Sequence, residues 1–557
     1  MSLTRRQLLL GTAGLAAVGC TSTTQDPASA PDDDANPPAD SSTTTSEPAE
    51  PEPLLVDAPD FDGPSPFALG VASGDPDASS VVLWTRLISS FDQTAPLATT
   101  DLAVAVDVAL DEDFVELTSS IVSEAPLEHG HSVHAITESL TPDTWFYYRF
   151  RIGEHTSPTG RARTLPNPNA EPGSALRFGF SSCQHWETGL YSAHRHLAAQ
   201  DLDLFVWLGD YMYESGPNDS GVVAPTGPRV HNSAEVSTLD GYRSRYSLYR
   251  SDPDLQAHHA ARPWVVTWDD HEVDNNYASE VPEDDQDTEA FNLRRAAAYQ
   301  AWWEHMPVRI PPPDGSDEFV IYRTIEWGNL ANLHMLDGRQ FRADQPTDGE
   351  TIEIAGLGNL GVRQLSEDAR NPENSLLGST QRAWLEEQVT SSDAVWNVLG
   401  NQVYMHGLNA FPGEVPSINT DTWDGYFGER QALLETIGGP DANLVVLTGD
   451  FHASTTASIR SDPFDLAAPV MATEFMAPAI SSLFPPQLRP LAPAVLALNP
   501  QVQHFDPDNG FMTCEVTAEA WTTQLHLLDD VASADSAIRT AMTFTVAAGQ
   551  TEIVATE

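Results

Sequence analysis

Six short apolar runs, each ending in a polar cluster, constrain this chain more than any other feature. They span 176–180, 204–208, 264–268, 333–336, 395–399 and 444–447. Longer segments of helical character lie between them, among them 288–306 and 381–389. Continuous apolar runs of strand length that alternate with helices indicate a layered α/β domain whose strands are covered on both faces. In open sheets of this kind the ligand crevice lies outside the carboxyl ends of the strands. The first three runs lead into Ser181-Ser182-Cys183-Gln184, Gly209-Asp210-Tyr211-Met212-Tyr213-Glu214 and Asp269-Asp270-His271-Glu272. The other three lead into Asp337-Gly338-Arg339, Gly400-Asn401-Gln402 and Thr448-Gly449-Asp450-Phe451-His452. Alone, such a Gly-Asp is more often a turn, an Asp-x-His more often a surface pair, and a cysteine more often packed than liganded. Six in equivalent positions aim a set of candidate ligands at one place.

The flanks carry other messages. Thr4-Arg5-Arg6-Gln7-Leu8-Leu9 precedes a short apolar stretch and resembles a twin-arginine export signal. Ala17-Val18-Gly19-Cys20 resembles a lipoprotein cleavage box, with alanine where leucine is usual, and predicts lipidation at Cys20. Residues 1–20 are thus read as a signal. Residues 21–60, rich in Ser, Thr, Pro and acidic side chains, are read as a disordered tether. Residues 61–167 hold short β-type runs at 80–87, 102–108 and 145–152, set apart by turns such as Gly74-Asp75-Pro76-Asp77, and predict a small all-β sandwich. A proline-rich linker at 166–173 precedes the layered α/β domain, 174–530, and 531–557 is read as a C-terminal extension. With Cys20 set aside, only Cys183 and Cys514 remain, so there is no disulfide framework. Cys514 falls in an alternating run and is read as a packed strand residue.

The series Gly209-Asp210-x-x-Tyr213, Asp270-His271-Glu272 and Gly449-Asp450-Phe451-His452 resembles the calcineurin-like metallophosphoesterase pattern. It departs from that pattern consistently. Cys183 stands where the first aspartate is expected, Tyr213 replaces an aspartate, Asp270 an asparagine and Asp450 a histidine. These departures are similar to the alkaline phosphatase D family. So are the N-terminal runs Phe67-Ala68-Leu69-Gly70-Val71-Ala72-Ser73-Gly74-Asp75-Pro76 and Leu83-Trp84-Thr85-Arg86-Leu87. The resemblance covers about residues 67–527. It implies a metallophosphoesterase β-sandwich core flanked by helices, preceded by the small β domain, and an exported hydrolase of phosphomonoesters or phosphodiesters.

Ligand chemistry sharpens what the resemblance implies. Thiolate and phenolate beside a carboxylate suit ferric iron better than magnesium. Following the family order, Cys183, Asp210, Tyr213 and His452 are expected to hold Fe3+. The oxygen group Asp210, Asp270 and Asp450 would hold a harder cation such as Ca2+, with Asp210 bridging. Asn275 and Asn401 are further oxygen-ligand candidates, and Asp269 is either a ligand or a carboxylate behind the ligands. His271 is expected to stabilise or protonate the leaving oxygen, with Glu272 orienting it. Arg339 and Arg342 either bind phosphate oxygens or pair with local carboxylates. The His258-His259 pair is read as structural. Two rival readings stay open: a phospholipase D-like phosphodiesterase acting on lipid head groups, and a non-catalytic binding protein with a phosphatase-like domain.

The 557-residue chain has 27 basic side chains, all arginine, against 81 acidic ones, a formal net charge of −54. Such a surface repels nucleic acid and anionic lipid, so no nucleic-acid partner is expected and membrane contact only through the lipid anchor. Self-repulsion among exposed carboxylates is screened over ~10 Å at 0.1 M salt and over less at higher salt. The melting temperature is therefore expected to rise with sodium chloride at fixed calcium. A steady fall across the same titration would show that charge repulsion does not govern how stability responds to salt.

Overall fold

The computed structural model describes residues 55–91, 97–170, 173, 175–219, 227–283, 286–315, 319–354 and 360–556. The twin-arginine segment, Cys20 and most of the tether fall outside them. Among the described residues no helix is long and apolar enough to cross a membrane.

The six apolar runs become six strands in two facing sheets. Leu176–Ser181, Leu204–Leu208 and Pro263–Thr267 lie side by side and parallel in the first sheet. Ala331–Met335, Trp396–Gly400 and Leu444–Thr448 do the same in the second. Alternation along each strand decides the layers. Leu204, Val206 and Leu208 point between the sheets, where they meet Phe178, Phe180, Leu333, Val398 and Leu447. Phe205 and Trp207 point the other way, against Trp264, Tyr242, Tyr246 and Trp302. Tyr242 and Tyr246 come from helix Leu239–Arg250, and Trp302 from helix Thr288–His305. On the far face of the second sheet, Leu399 and Val446 pack on Leu385, Leu433 and Leu434 of helices Gly378–Thr390 and Phe427–Ile437. The result is a four-layer helix–sheet–sheet–helix stack. Side chains on both strand faces are apolar because both are covered, which leaves the strand ends as the places for chemistry.

The first sheet extends further than its sequence pattern indicates. It has ten strands, and Val71–Gly74 pairs in parallel with Pro263–Thr267, bringing Val81–Arg86 and Ser132–Thr137 with it. The small N-terminal sandwich is therefore closed by part of the large sheet. Its other layer is built from Leu117–Ala125, Leu102–Ala109, Trp145–Ile152, His155–Thr156 and Gly160–Arg163. Val71, Val81 and Leu83 share a core with Val104, Val106 and Phe150. At the opposite edge, Ile538–Ala547 and Ile553–Thr556 add two strands within 531–557, and Phe544 and Val546 enter the inter-sheet core. Cys514 lies buried in strand Gly510–Val516, and it and Cys183 are both free thiols.

Asp75 is the polar link at the N-terminal junction. It is buried, its Oδ1 meets Arg323 Nη2 at 2.6 Å, and its Oδ2 accepts the Arg309 backbone N–H at 2.9 Å. Removing one partner of such a pair strands the other charge. Asp75→Ala is expected to lower stability by about 3 kcal/mol in urea titrations, with both parts still unfolding in one transition. Two separated transitions in the parent protein would contradict the shared sheet.

Candidate metal centre

The loops that leave the six strands meet above the sandwich, and the backbone there is strained. Cys183, Asp210, Asp450 and His452 all have positive φ, 58°, 57°, 63° and 57°. Non-glycine residues rarely adopt this conformation, and clusters of it mark places where side-chain aim matters more than backbone comfort. Gly209, with φ 107°, has no room for a side chain: a Cβ would lie 2.5 Å from that of Asp269. Two ligand loops thus touch at backbone distance.

Glu272 staples these loops together. Its fully buried carboxylate accepts the backbone N–H groups of Asp210, Tyr211 and Asp269 at 3.0, 2.6 and 2.9 Å. It does not orient His271, as its sequence position suggests, because its oxygens are spent on the neighbouring loop. The partner of His271 is Glu214, at 2.8 Å from Nδ1, whose second oxygen accepts the Asn275 N–H at 3.0 Å. Burial opposes the His271 cation, but Glu214, Asp270 and Asp210 outweigh it and raise its pKa well above the ordinary value.

Among the described residues, three overlapping groups could hold metal ions: Cys183, Asp210 and His452; Asp210, Asp270 and His271; Asp269, Asp270 and Asp450. Within each, the ligand atoms lie within 4.8 Å of one another. Tyr213 joins the first group, with Oη 2.9 Å from Asp210 Oδ2 and 3.2 Å from His452 Nε2. Asp210 belongs to two groups and sits between them. The residues fit cations in three ways. Asp210 Oδ1, Asp269 Oδ2 and Asp270 Oδ1 are buried carboxylate oxygens with no hydrogen-bond partner. Burial drives Asp210 and Asp269 well above the carboxylate range and Asp450 to about 7. Burial also pushes the Cys183 thiol and the Tyr213 phenol well up, with Asp210 adding to both. Only close positive charge makes so many acidic groups stable together as anions.

Part of that charge belongs to the chain. Arg339 is fully buried; Nε meets Asp269 Oδ1 at 2.5 Å and Nη1 meets both Asp421 oxygens at 2.9 Å. Its Nη2 lies 3.7 Å from Asp270 and 3.9 Å from Asp450. Arg342 is committed to Asp421 Oδ1 and to the Tyr426 hydroxyl, both at 2.9 Å. Both arginines pair with carboxylates, while Arg339 Nη2 and Arg342 Nη1 are buried without a hydrogen-bond partner. Asn275 and Asn401 have side-chain partners of their own. The Asn275 amide donates to Glu283, and Asn401 Oδ1 accepts the Trp423 indole N–H at 3.1 Å.

The comparisons with known proteins agree with this geometry. The PhoD-like phosphatase profile matches residues 178–525, and that of the PhoD-like phosphatase N-terminal domain matches 56–166. The chain belongs to the PhoD-like phosphatase family. Alkaline phosphatase D of Bacillus subtilis (strain 168) is 41% identical over 497 residues, 89% of this chain and 83% of that protein. A solved structure of PhoD superposes with a TM-score of 0.82 at 40% identity, covering 90% of this chain and 94% of that one. As a PhoD-like phosphatase the chain is a metal-binding phosphoric ester hydrolase.

Sequence reasoning missed Glu214, although it directly follows Tyr213, because one loop was credited with only two functional side chains. It could not have found Asp421, which comes from a distant loop with no motif around it. Because Glu272 fixes two ligand loops without facing a ligand, Glu272→Gln is expected to weaken metal binding by about 10–100-fold, as loss of outer partners typically does. Metal titration of the folded variant checks this; unchanged affinity would make the staple irrelevant to the centre.

Proposed function

We propose that this PhoD-like phosphatase is exported and hydrolyses phosphomonoesters or phosphodiesters at a centre of ferric iron and calcium. Cys183, Asp210, Tyr213 and His452 would hold the iron, and Asp210, Asp270 and Asp450 the calcium. The observation that carries the reading is the convergence of a thiol, a phenol, an imidazole and three carboxylates on strand ends, with His271 beside them. The donor types support the metal identities: soft and phenolic ligands on one side, only oxygen on the other. The likeness in sequence to alkaline phosphatase D supports the ester chemistry. Arg5-Arg6 and Cys20 support export and anchoring.

The bound cations would neutralise phosphoryl oxygens and acidify the attacking water. The rest is done by side chains. Glu214 holds His271 Nδ1, so Nε2 is left for the reacting ester. Glu214, which lies outside the proposed ligand set, favours a proton on the ring, and a protonated imidazole can hand its proton to the departing alkoxide. Arg339 fixes Asp269 and braces Asp270 and Asp450, so the ligand loops need not reorganise as charge develops.

His271→Ala should retain metal yet lose rate by about 10²–10⁴-fold, with a smaller loss for esters whose leaving groups are good. Glu214→Gln should show the same leaving-group trend more weakly. Equal losses for all leaving groups, together with lost metal, would make His271 a ligand and overturn the assignment.

A further inference from the structure

Two serine hydroxyls touch the thiol and the phenol among the proposed iron ligands. Ser182 Oγ lies 3.0 Å from Cys183 Sγ, and Ser482 Oγ lies 2.7 Å from Tyr213 Oη. All four side chains are buried. We infer that Ser182 and Ser482 are positioning residues that donate hydrogen bonds to the thiolate and the phenolate and set how strongly these ligands donate to iron. The inference rests on the ligand assignment proposed above.

The direction of each bond follows from proton counting. Tyr213 has one hydroxyl proton, which it gives to Asp210 Oδ2 at 2.9 Å. Ser482 Oγ accepts the His185 backbone N–H at 3.1 Å, which leaves its own proton for Tyr213. As a metal ligand, Tyr213 would have no proton and could only accept. The same holds for Cys183 as a thiolate, so Ser182 must donate.

Both hydroxyls are fixed by the surrounding backbone. The Ser482 N–H donates to the Cys183 carbonyl at 3.1 Å, and Asn509 Nδ2 donates to the Ser482 carbonyl at 2.7 Å. The Ser182 carbonyl accepts the Ile480 N–H at 3.0 Å. Gly449 leaves space for the Ser182 side chain: a Cβ there would lie 2.5 Å from its Oγ. Thus the glycine that opens the last ligand loop is also the residue that admits the thiol's hydrogen-bond donor.

Hydrogen bonds to an anionic acceptor are strong, and in a buried site water does not compete for them. They draw electron density from the ligand atom, lowering its donation to the metal. Iron held this way stays a stronger Lewis acid than bare thiolate and phenolate ligands would leave it.

The test is visible absorption with resonance Raman on the iron-loaded full chain. Ser482→Ala should move the phenolate-to-iron band to longer wavelength and leave the thiolate band in place. Ser182→Ala should do the reverse, and Ser482→Thr should return the phenolate band to its original position. Bands that stay put in coloured, iron-retaining alanine variants would overturn the inference alone. An iron-loaded parent protein with neither band would overturn the ligand assignment, and the inference with it. If Ser182→Ala does not fold, the Ser482 pair decides the question by itself.

Discussion

Mutual repulsion among buried carboxylates is the constraint on which this structure depends. Asp210, Asp269, Asp270 and Asp450 share one pocket at the strand ends, with several of their oxygens left without a hydrogen-bond partner. Burial alone would protonate most of them. Asp270 shows the alternative: burial raises it too, but Arg339 and His271 more than offset that and hold it low. One arginine cannot serve four carboxylates, and Arg339 is already shared with Asp421. The remaining balance must come from bound cations, so the acidic cluster and the metal chemistry are the same feature.

The scaffold is built to hold that cluster against its own repulsion. Aromatic and aliphatic layers fix the strands from both faces, so their ends cannot drift. The strained backbone at Cys183, Asp210, Asp450 and His452 turns each side chain inward at a cost that the packed layers carry. Glu272 ties two of the loops at their amides, and Gly209 lets them approach. His271 is aimed separately, by Glu214 from the neighbouring loop.

What could be read from the sequence followed the range of the interactions. Strands covered on both faces wrote themselves as unbroken apolar runs, and the polar residues just past them turned out to be neighbours. Adjacency misled at Glu272, since consecutive residues on a tight turn point apart: His271 faces the site while Glu272 folds back under Asp210. The pairing of Val71–Gly74 with Pro263–Thr267 left no trace, because a strand does not encode which distant edge it will join. Asp421 and Ser482 were equally silent. Each acts through one contact made across a long stretch of chain, at a residue type common in any loop. Arg339 and Arg342 were visible as charged residues past a strand, but nothing in the sequence points to their shared partner Asp421.

The central claim is that Asp210 is shared between two cation sites, and metal content per chain tests it most directly. Elemental analysis of the parent protein, Asp210→Asn and Asp450→Asn, each purified without added chelator, separates the possibilities. The parent should carry iron together with a harder cation. Asp450→Asn should lose the harder cation and keep the iron, and Asp210→Asn should lose both. An Asp210→Asn protein that is folded and retains the full parental complement would contradict the shared centre, and with it the explanation of how the buried carboxylates are held.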